Sequence, residues 1–280
     1  MTTTRFAPAP TGHLHLGHVV NALYVWETAR REGGRVLLRI EDHDRQRSRP
    51  EYEASILEDL AWLGFAADGA AVRQSERTAI YEDALNRLRT AGLTYACECS
   101  RRDILEAGGT GAELHYPGTC ASKGLAEAPE RAVRLRLPRA EQFFDDMLLG
   151  ARRQVPSEQC GDLLVRDRRG NWTYQFAVTV DDCDQGVDLV IRGIDLLRST
   201  GRQIQLARIL GRSQPPRFMH HPLVMSTPDQ KLSKSDGASG IRELRARGLS
   251  AADVRAEARR AGLLAASSQL PATSSGLEGK

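Results

Sequence analysis

The stretch "TTTRFAPAPTGHLHLGHVVNALYVWETARREGGRVLLRI" (residues 2–40) decides the fold. Its opening, "TTTRFAP", reads as a short strand running into a turn rich in proline and glycine. From Leu16 the apolar positions Val19, Val20, Leu23, Trp26 and Ala29 recur at helical spacing, and "EGG" (32–34) stops the helix. "RVLLRI" (35–40) is a short apolar run, the pattern of a parallel strand covered on both faces. Strand, glycine turn, helix and strand make one βαβ unit with a right-handed crossover, which places the chain in the α/β class.

Outward from that unit, "PEYEASILEDLAWLG" (50–64) opens with proline and acids and closes on glycine, as a capped helix does. "SERTAIYEDALNRLRTAG" (75–92) is a second such helix. Residues 94 to 137 differ: they hold three of the five cysteines, several glycines and the alternating strand "AVRLRLP" (132–138), and they read as an insertion. The α/β alternation then resumes. "DLLVRDRRGNWTY" (162–174) suggests a hairpin, "QFAVTVDDC" (175–183) a helix, "DLVIRG" (188–193) a buried strand and "DLLRSTGRQIQLARILG" (195–211) a long helix. "LSAADVRAEARRAG" (249–262) is a further helix, capped by Ser250 and Asp253. The tail 265–280 lacks a core-forming pattern and is expected to be disordered.

With 41% apolar and 27% charged residues, the composition is that of a soluble globular chain with a real core. No apolar run spans a bilayer and the start has no signal-peptide pattern, so a cytoplasmic, non-membrane protein is expected. Five cysteines there argue for free thiols or a metal site. Of 39 basic residues only Lys123, Lys231, Lys234 and Lys280 are lysine, and two of these sit three apart in "KLSKS" (231–235). In a chain that otherwise uses arginine, that pair suggests a compact, mobile charge suited to following a phosphate.

Three of the seven histidines crowd the first turn. His13, His15 and His18 follow H-x-H-x-x-H, yet no carboxylate or thiolate stands beside them to complete a metal site. Helix capping accounts for Thr11 and Gly12 but not for the pair His15 and His18. Phosphate binding accounts for more: a helix N-terminus offers unpaired N–H groups, Gly17 admits an anion close to the backbone, and the histidines add donors.

The histidine turn and the lysine loop together resemble the two signatures of class I aminoacyl-tRNA synthetases. "RFAPAPTGHLHLGH" (5–18), "LLRIEDHDRQRS" (37–48), "YQFAVTVDD" (174–182) and "VIRGIDLLRST" (190–200) resemble blocks of the glutamyl-tRNA synthetase catalytic core, over roughly residues 4 to 237. Those enzymes carry long C-terminal anticodon-binding domains, whereas only about 45 residues follow the lysine loop here. A catalytic core alone, with a Cys-x-Cys insertion, is similar to the glutamyl-queuosine tRNA(Asp) synthetases.

The resemblance implies a Rossmann-type doubly wound parallel sheet with an inserted zinc-containing, acceptor-end-like subdomain and a short helical stem-contact piece. The expected divisions are a first catalytic half (1–93), the insertion (94–158), a second catalytic half (159–212), a stem-contact-like region with the lysine loop (213–264) and the tail (265–280). It implies catalytic roles for His15, His18, Lys231 and Lys234, and ATP contacts at His15, Gly17, His18 and Lys234, with magnesium sharing the phosphate charge. Glutamate would lie against Arg5, Phe6, Ala7, Pro8, Ala9, Glu41, Tyr174 and Arg192. Two guanidinium forks and an acid suit a ligand with two carboxylates and one ammonium. For Tyr174, core packing and a polar role are equally open. Where the family commonly has serine, in "APSPTG", this chain has Ala9.

Cys97, Cys99 and Cys120 lie within 24 residues and suggest zinc. Imidazole chemistry would choose His115 as fourth ligand, whereas the family pattern C-x-C…Y-x3-C implies Tyr116. Cys160 and Cys183 stand alone and read as packing residues. The implied reaction is ATP-dependent activation of L-glutamate and its transfer, by a monomer, to the queuosine base in the anticodon loop of tRNA(Asp). A short enzyme charging a tRNA 3′ end is the alternative.

Overall fold

The computed structural model describes residues 1–110, 114–227, 230–231 and 240–269. β1 (Thr3–Phe6) leads into α1 (Leu16–Arg31), β2 (Arg35–Ile40), α2 (Pro50–Trp62), β3 (Val72–Arg73), a 3-10 turn (Gln74–Glu76) and α3 (Thr78–Thr90). Next come β4 (Thr94–Cys97), α4 (Arg101–Glu106), β5 (Ala132–Leu135), β6 (Gln142–Asp146), β7 (Gly150–Gln154), α5 (Pro156–Cys160) and β8 (Leu163–Arg166). The chain continues through α6 (Tyr174–Asp184), β9 (Leu189–Gly193), a 3-10 segment (Ile194–Ser199), α7 (Thr200–Ile209) and β10 (Arg217–His221). It closes with β11 (Met225–Thr227), β12 (Gln230–Lys231), α8 (Ile241–Ala246) and α9 (Ala251–Gln269).

The expected βαβ unit is present: β1 and β2 pair in parallel, Arg5 beside Leu37, and β3 extends the sheet. β9 and β10 pair in parallel on the other side, followed by β6 in parallel and β7 antiparallel. The two sets meet where the Asp188 N–H donates to the Thr3 carbonyl at 3.0 Å. Strand order therefore reverses between β1 and β9, and the crevice beyond their carboxyl ends is the place where doubly wound sheets bind ligands. Val19, Val20 and Val25 of α1 join Ile40, Ile56, Ile191 and Met219 in the main core.

The strands do not follow the divisions expected from sequence. β6 and β7 fall within 94–158 yet extend the main sheet, whereas β8, from 159–212, pairs with β5 in a separate antiparallel sheet with β4. β10 begins at Arg217, inside the expected stem-contact stretch, and α9 buries Val254 and Ala258 in the main core. α9 also runs to Gln269, so 265–269 of the expected disordered tail are helical, and 270–280 lie outside the described residues.

Three local expectations change. In "AVRLRLP" Arg136 is exposed as the alternation expects, but Arg134 is buried along with the rest of β5, because its guanidinium lies 3.5 Å over the Tyr116 ring and its Nε donates to Cys97 Sγ. The hairpin at 162–174 reduces to β8 and one bridge, Arg166 to Trp172, since Asp167 draws the N–H groups of Arg169 and Asn171 into a tight turn. The long helix at 195–211 begins as a 3-10 segment and becomes α-helical only from Thr200.

Candidate active site

The turn after β1 ends on His15, which caps α1 from an extended backbone. His15 Nδ1 accepts the Gly17 N–H at 3.1 Å, and the His15 N–H donates to His18 Nδ1 at 3.1 Å. A capping box is thus built from two histidines, their rings 3.9 Å apart. Because each Nδ1 accepts a backbone N–H, the proton of each neutral ring sits on Nε2, which makes both rings donors. A Cβ on Gly17 would meet the His15 ring at 3.0 Å, so a larger residue there would press on the ring in this arrangement. His13 turns away, its Nδ1 2.8 Å from Ser55 Oγ and its ring edge-on to Tyr52.

The backbone returns to this turn just after the lysine loop. Gly240 bridges His15, and the Ile241 N–H donates to the Leu14 carbonyl at 3.0 Å. Lys231 lies in β12, with only its backbone described, and Lys234 lies outside the described residues.

Across the crevice stand the arginines. Arg5 on β1 donates through Nε to Asp182 Oδ1 at 3.1 Å and through its terminal nitrogen to the Ile191 carbonyl at 3.3 Å. Arg39, fully buried on β2, pairs with Asp182 at 2.8 Å and lies 3.6 Å from both Asp181 and Glu41. Asp181 is also held by Arg77, Gln74 and the Tyr81 hydroxyl. Burial would raise the Asp182 carboxyl, yet Arg5 and Arg39 hold it below its ordinary range. Burial pushes Glu41 up against the pull of Arg39 and Arg5.

Arg192 is treated differently. At 3% exposure its Nε donates to His220 Nε2 at 3.0 Å, one terminal nitrogen to Gln203 Oε1 at 2.7 Å and the other to Thr200 Oγ1 at 2.9 Å. Those acceptors are neutral, and among the described residues no carboxylate pairs with it. Burial accordingly drives its pKa down, with Tyr174 opposing. Burial also raises the Tyr174 phenol, on which Glu41, Arg192 and Arg5 all act electrostatically.

Arg5, Glu41, Tyr174 and Arg192, separated by up to 187 positions, are therefore brought to one crevice. Phe6 is not: its side chain is buried in the core 5.4 Å from Trp26, so it offers the site only backbone. Ala7 is half-buried, Ala9 is exposed, and buried Pro8 accepts the Glu41 N–H at 3.0 Å, tying the ends of β1 and β2 together. The sequence reading missed Arg39, Asp146, Asp181, Thr200, Gln203 and His220 as site residues. The one available signal was the acidic pair "DD" inside an otherwise apolar helical stretch.

In the insertion, the sulfurs of Cys97, Cys99 and Cys120 lie within 4.8 Å of one another. The Tyr116 hydroxyl stands 3.4 Å from Cys97 Sγ and 3.9 Å from Cys99 Sγ, and it accepts the Cys120 N–H at 2.9 Å. His115 points elsewhere, its Nε2 3.1 Å from the Ser157 carbonyl. Burial and the neighbouring thiols push Cys99 up to about 12, so the cluster does not become a set of thiolates unaided. A cleft of about 850 Å³ runs between this unit and the crevice, lined by Arg47, Ser100, Arg101, Arg168, Trp172 and Tyr174.

The sequence matches the family of class I tRNA synthetases (E and Q), catalytic domain, over residues 1–276. It is 41% identical over 272 residues to a glutamyl-Q tRNA(Asp) synthetase of Rhodobacter capsulatus, covering 90% of this chain and 98% of that one. It is 46% identical over 244 residues to the protein of the same name from Burkholderia mallei, covering 85% and 82%. Among solved structures, a glutamate tRNA ligase of Elizabethkingia meningosepticum in complex with its amino acid superposes with a TM-score of 0.73 at 30% identity. The superposition covers 84% of this chain but 52% of the ligase, so the chain spans about half its length. Among the described residues no helix is long and apolar enough to cross a membrane.

Proposed function

This chain belongs to the class I tRNA synthetases of the E and Q type, and from that premise we propose that it activates L-glutamate with ATP and transfers it to the queuosine base of tRNA(Asp). The observation that carries the amino-acid part is Arg192: a buried guanidinium held by neutral acceptors, beside Arg5, Glu41 and Tyr174 at the strand-order reversal. A cation so placed calls for an anion, and a ligand carboxylate supplies it bidentately. Glu41 pairs with the α-ammonium, and Arg5 serves the second carboxylate while remaining bound to Asp182. The relatives named glutamyl-Q tRNA(Asp) synthetase support the choice of acceptor.

In the first step a glutamate carboxylate oxygen attacks the α-phosphorus of ATP. The bond to the bridging oxygen breaks, and pyrophosphate leaves with its electron pair. The Nε2–H donors of His15 and His18 and the start of α1 face the charge that grows on the phosphoryl group. Lys231 and Lys234 hold the departing pyrophosphate, and magnesium, when bound, supplies further positive charge there. In the second step an acceptor hydroxyl attacks the acyl carbon, loses its proton, and AMP departs.

Cys97, Cys99, Cys120 and the Tyr116 phenol provide three soft donors and one hard donor around one point, a set that suits structural zinc. The cleft between this unit and Tyr174, with Arg47, Arg101 and Arg168 at its walls, suits an RNA loop whose base is splayed toward the crevice. The reaction belongs in the cytoplasm, where tRNA is found.

The test is ATP–pyrophosphate exchange across the amino acids, with and without tRNA, followed by labelled glutamate given to tRNA(Asp) with and without queuosine. Glutamate-dependent exchange and label mapped by nuclease to the anticodon loop are expected. Label on the 3′-terminal adenosine, or equal labelling of queuosine-free tRNA, overturns the acceptor assignment.

A further inference from the structure

Three neighbouring parallel strands end in a row of interacting side chains. Arg192 on β9 and His220 on β10 are register partners, and Asp146 closes β6 beside them. Arg192 Nε donates to His220 Nε2 at 3.0 Å, and His220 Nδ1 lies 2.6 Å from Asp146 Oδ2. A guanidinium keeps its proton at any ordinary pH, so His220 Nε2 must be the acceptor and its proton must sit on Nδ1. Asp146 is fixed in the matching role. Its two oxygens accept the N–H groups of Leu148 and Leu149 at 3.0 Å and of His220 at 3.1 Å, which leaves it able only to accept from Nδ1–H. Burial lowers the His220 pKa, in keeping with a neutral ring beside a cation.

This row decides how Arg192 is presented. Its five N–H groups include one directed to His220, one to Gln203 and one to Thr200, so the plane is pinned, with the Tyr174 phenol also hydrogen-bonding to the guanidinium. The same hairpin that carries Asp146 holds the other side. Gln154 on β7 accepts the Gly201 N–H at 2.8 Å and donates to the Leu197 carbonyl at 2.9 Å, fixing the start of the helix that bears Thr200 and Gln203.

We propose that Asp146 and His220 are positioning residues for Arg192: the carboxylate fixes the imidazole tautomer, and the neutral imidazole fixes the guanidinium fork that selects glutamate. This rests on the reading of Arg192 as a carboxylate ligand. Asp146→Asn puts an amide N–H where Nδ1–H needs an acceptor, or leaves backbone N–H groups facing it. The ring then turns to the Nε2–H tautomer, which repels Arg192 Nε–H. His220→Gln keeps an acceptor for Arg192 but loses the contact with Asp146, and so is the milder change.

The experiment measures pyrophosphate exchange in Arg192→Ala, Asp146→Asn and His220→Gln, with nitrogen-15 spectra of the histidine rings in the unaltered protein. We expect Asp146→Asn to raise the glutamate KM about tenfold or more while the ATP KM stays within about twofold. Discrimination against glutamine should fall with it, and His220→Gln should show a smaller change in both. In the unaltered protein His220 Nε2 should be the unprotonated nitrogen. If Arg192→Ala leaves the glutamate KM unchanged, the carboxylate reading falls and this proposal with it. If Arg192→Ala raises KM but folded Asp146→Asn does not, the positioning role alone is overturned. A proton found on Nε2 of the unaltered protein overturns it without any variant having to fold.

Discussion

In the crevice, Asp181 and Asp182 face Arg5, Arg39 and Arg77, so all five charges have opposite partners within 3.1 Å. In the insertion, three thiols and a phenol converge with one guanidinium, Arg134, touching a single sulfur. Both regions draw polar groups out of water, but the imbalance has opposite sign. The crevice is neutralised internally except at Arg192, where negative charge is wanting. The cluster gathers acidic donors and wants a cation. The two proposed ligands would each offset the local imbalance, an amino-acid carboxylate in one region and a divalent metal in the other. Their settings differ too. The crevice lies on a main core running through α1, β2 and β9, whereas the cluster sits in a small core of Cys97, Ile104, Tyr116, Cys120 and Ala132.

The strongest way to break the contrast is Asp181→Ala. It removes the buried carboxylate that Arg77, Gln74 and Tyr81 share and that lies 3.6 Å from Arg39, although Arg39 keeps Asp182 and Arg77 keeps Asp184; urea unfolding should show a loss of about 3 kcal/mol, and a loss below about 1 kcal/mol would mean that the crevice does not depend on its internal pairing. Next, Arg192→Lys should raise the glutamate KM about a hundredfold with little change in Tm, because a point charge replaces a pinned fork. Unchanged exchange kinetics would remove the deficit from the argument. Cys120→Ser sharpens the other side. Zinc content by metal analysis should fall and Tm should drop by roughly 4–8 °C, the shift produced by about 2 kcal/mol in a chain of this size, while glutamate-dependent exchange persists. Native protein free of zinc after chelator-free purification would refute the cluster's assignment. The smallest effect separates two neighbours: Tyr116→Phe should weaken zinc retention against a chelator, whereas His115→Ala should leave it alone and cost about 1 kcal/mol for the lost contact with Ser157.

How far the sequence reaches is visible residue by residue. The βαβ start was legible because helix and strand periods are local, and 16 residues of α1 follow one another with their apolar positions on one stripe. His15 and His18 were singled out in the sequence, but their capping role was not: capping was expected to account for Thr11 and Gly12 alone, whereas the two imidazoles themselves form the cap, in place of the short oxygen-bearing side chains usual there. The pairing of β6 with β10 was not legible, because nothing local marks which sheet a hairpin joins. Nor was the burial of "AVRL": alternation predicts one wet face, but Arg134 lies flat on Tyr116 and is buried at 6% exposure.

By itself, then, the sequence determined the α/β class, the start of α1, the spacing of the cysteines and the supply of arginine and carboxylate. Only the tertiary structure decided which charges cancel. It paired Arg5 with Asp182 across 177 positions, turned Tyr116 rather than His115 toward the sulfurs, and set Asp146, His220 and Arg192 in a row from three strands. The reason is physical: propensity and periodicity act over a few residues, whereas Coulomb energy and desolvation depend on distance in space, which chain separation does not fix.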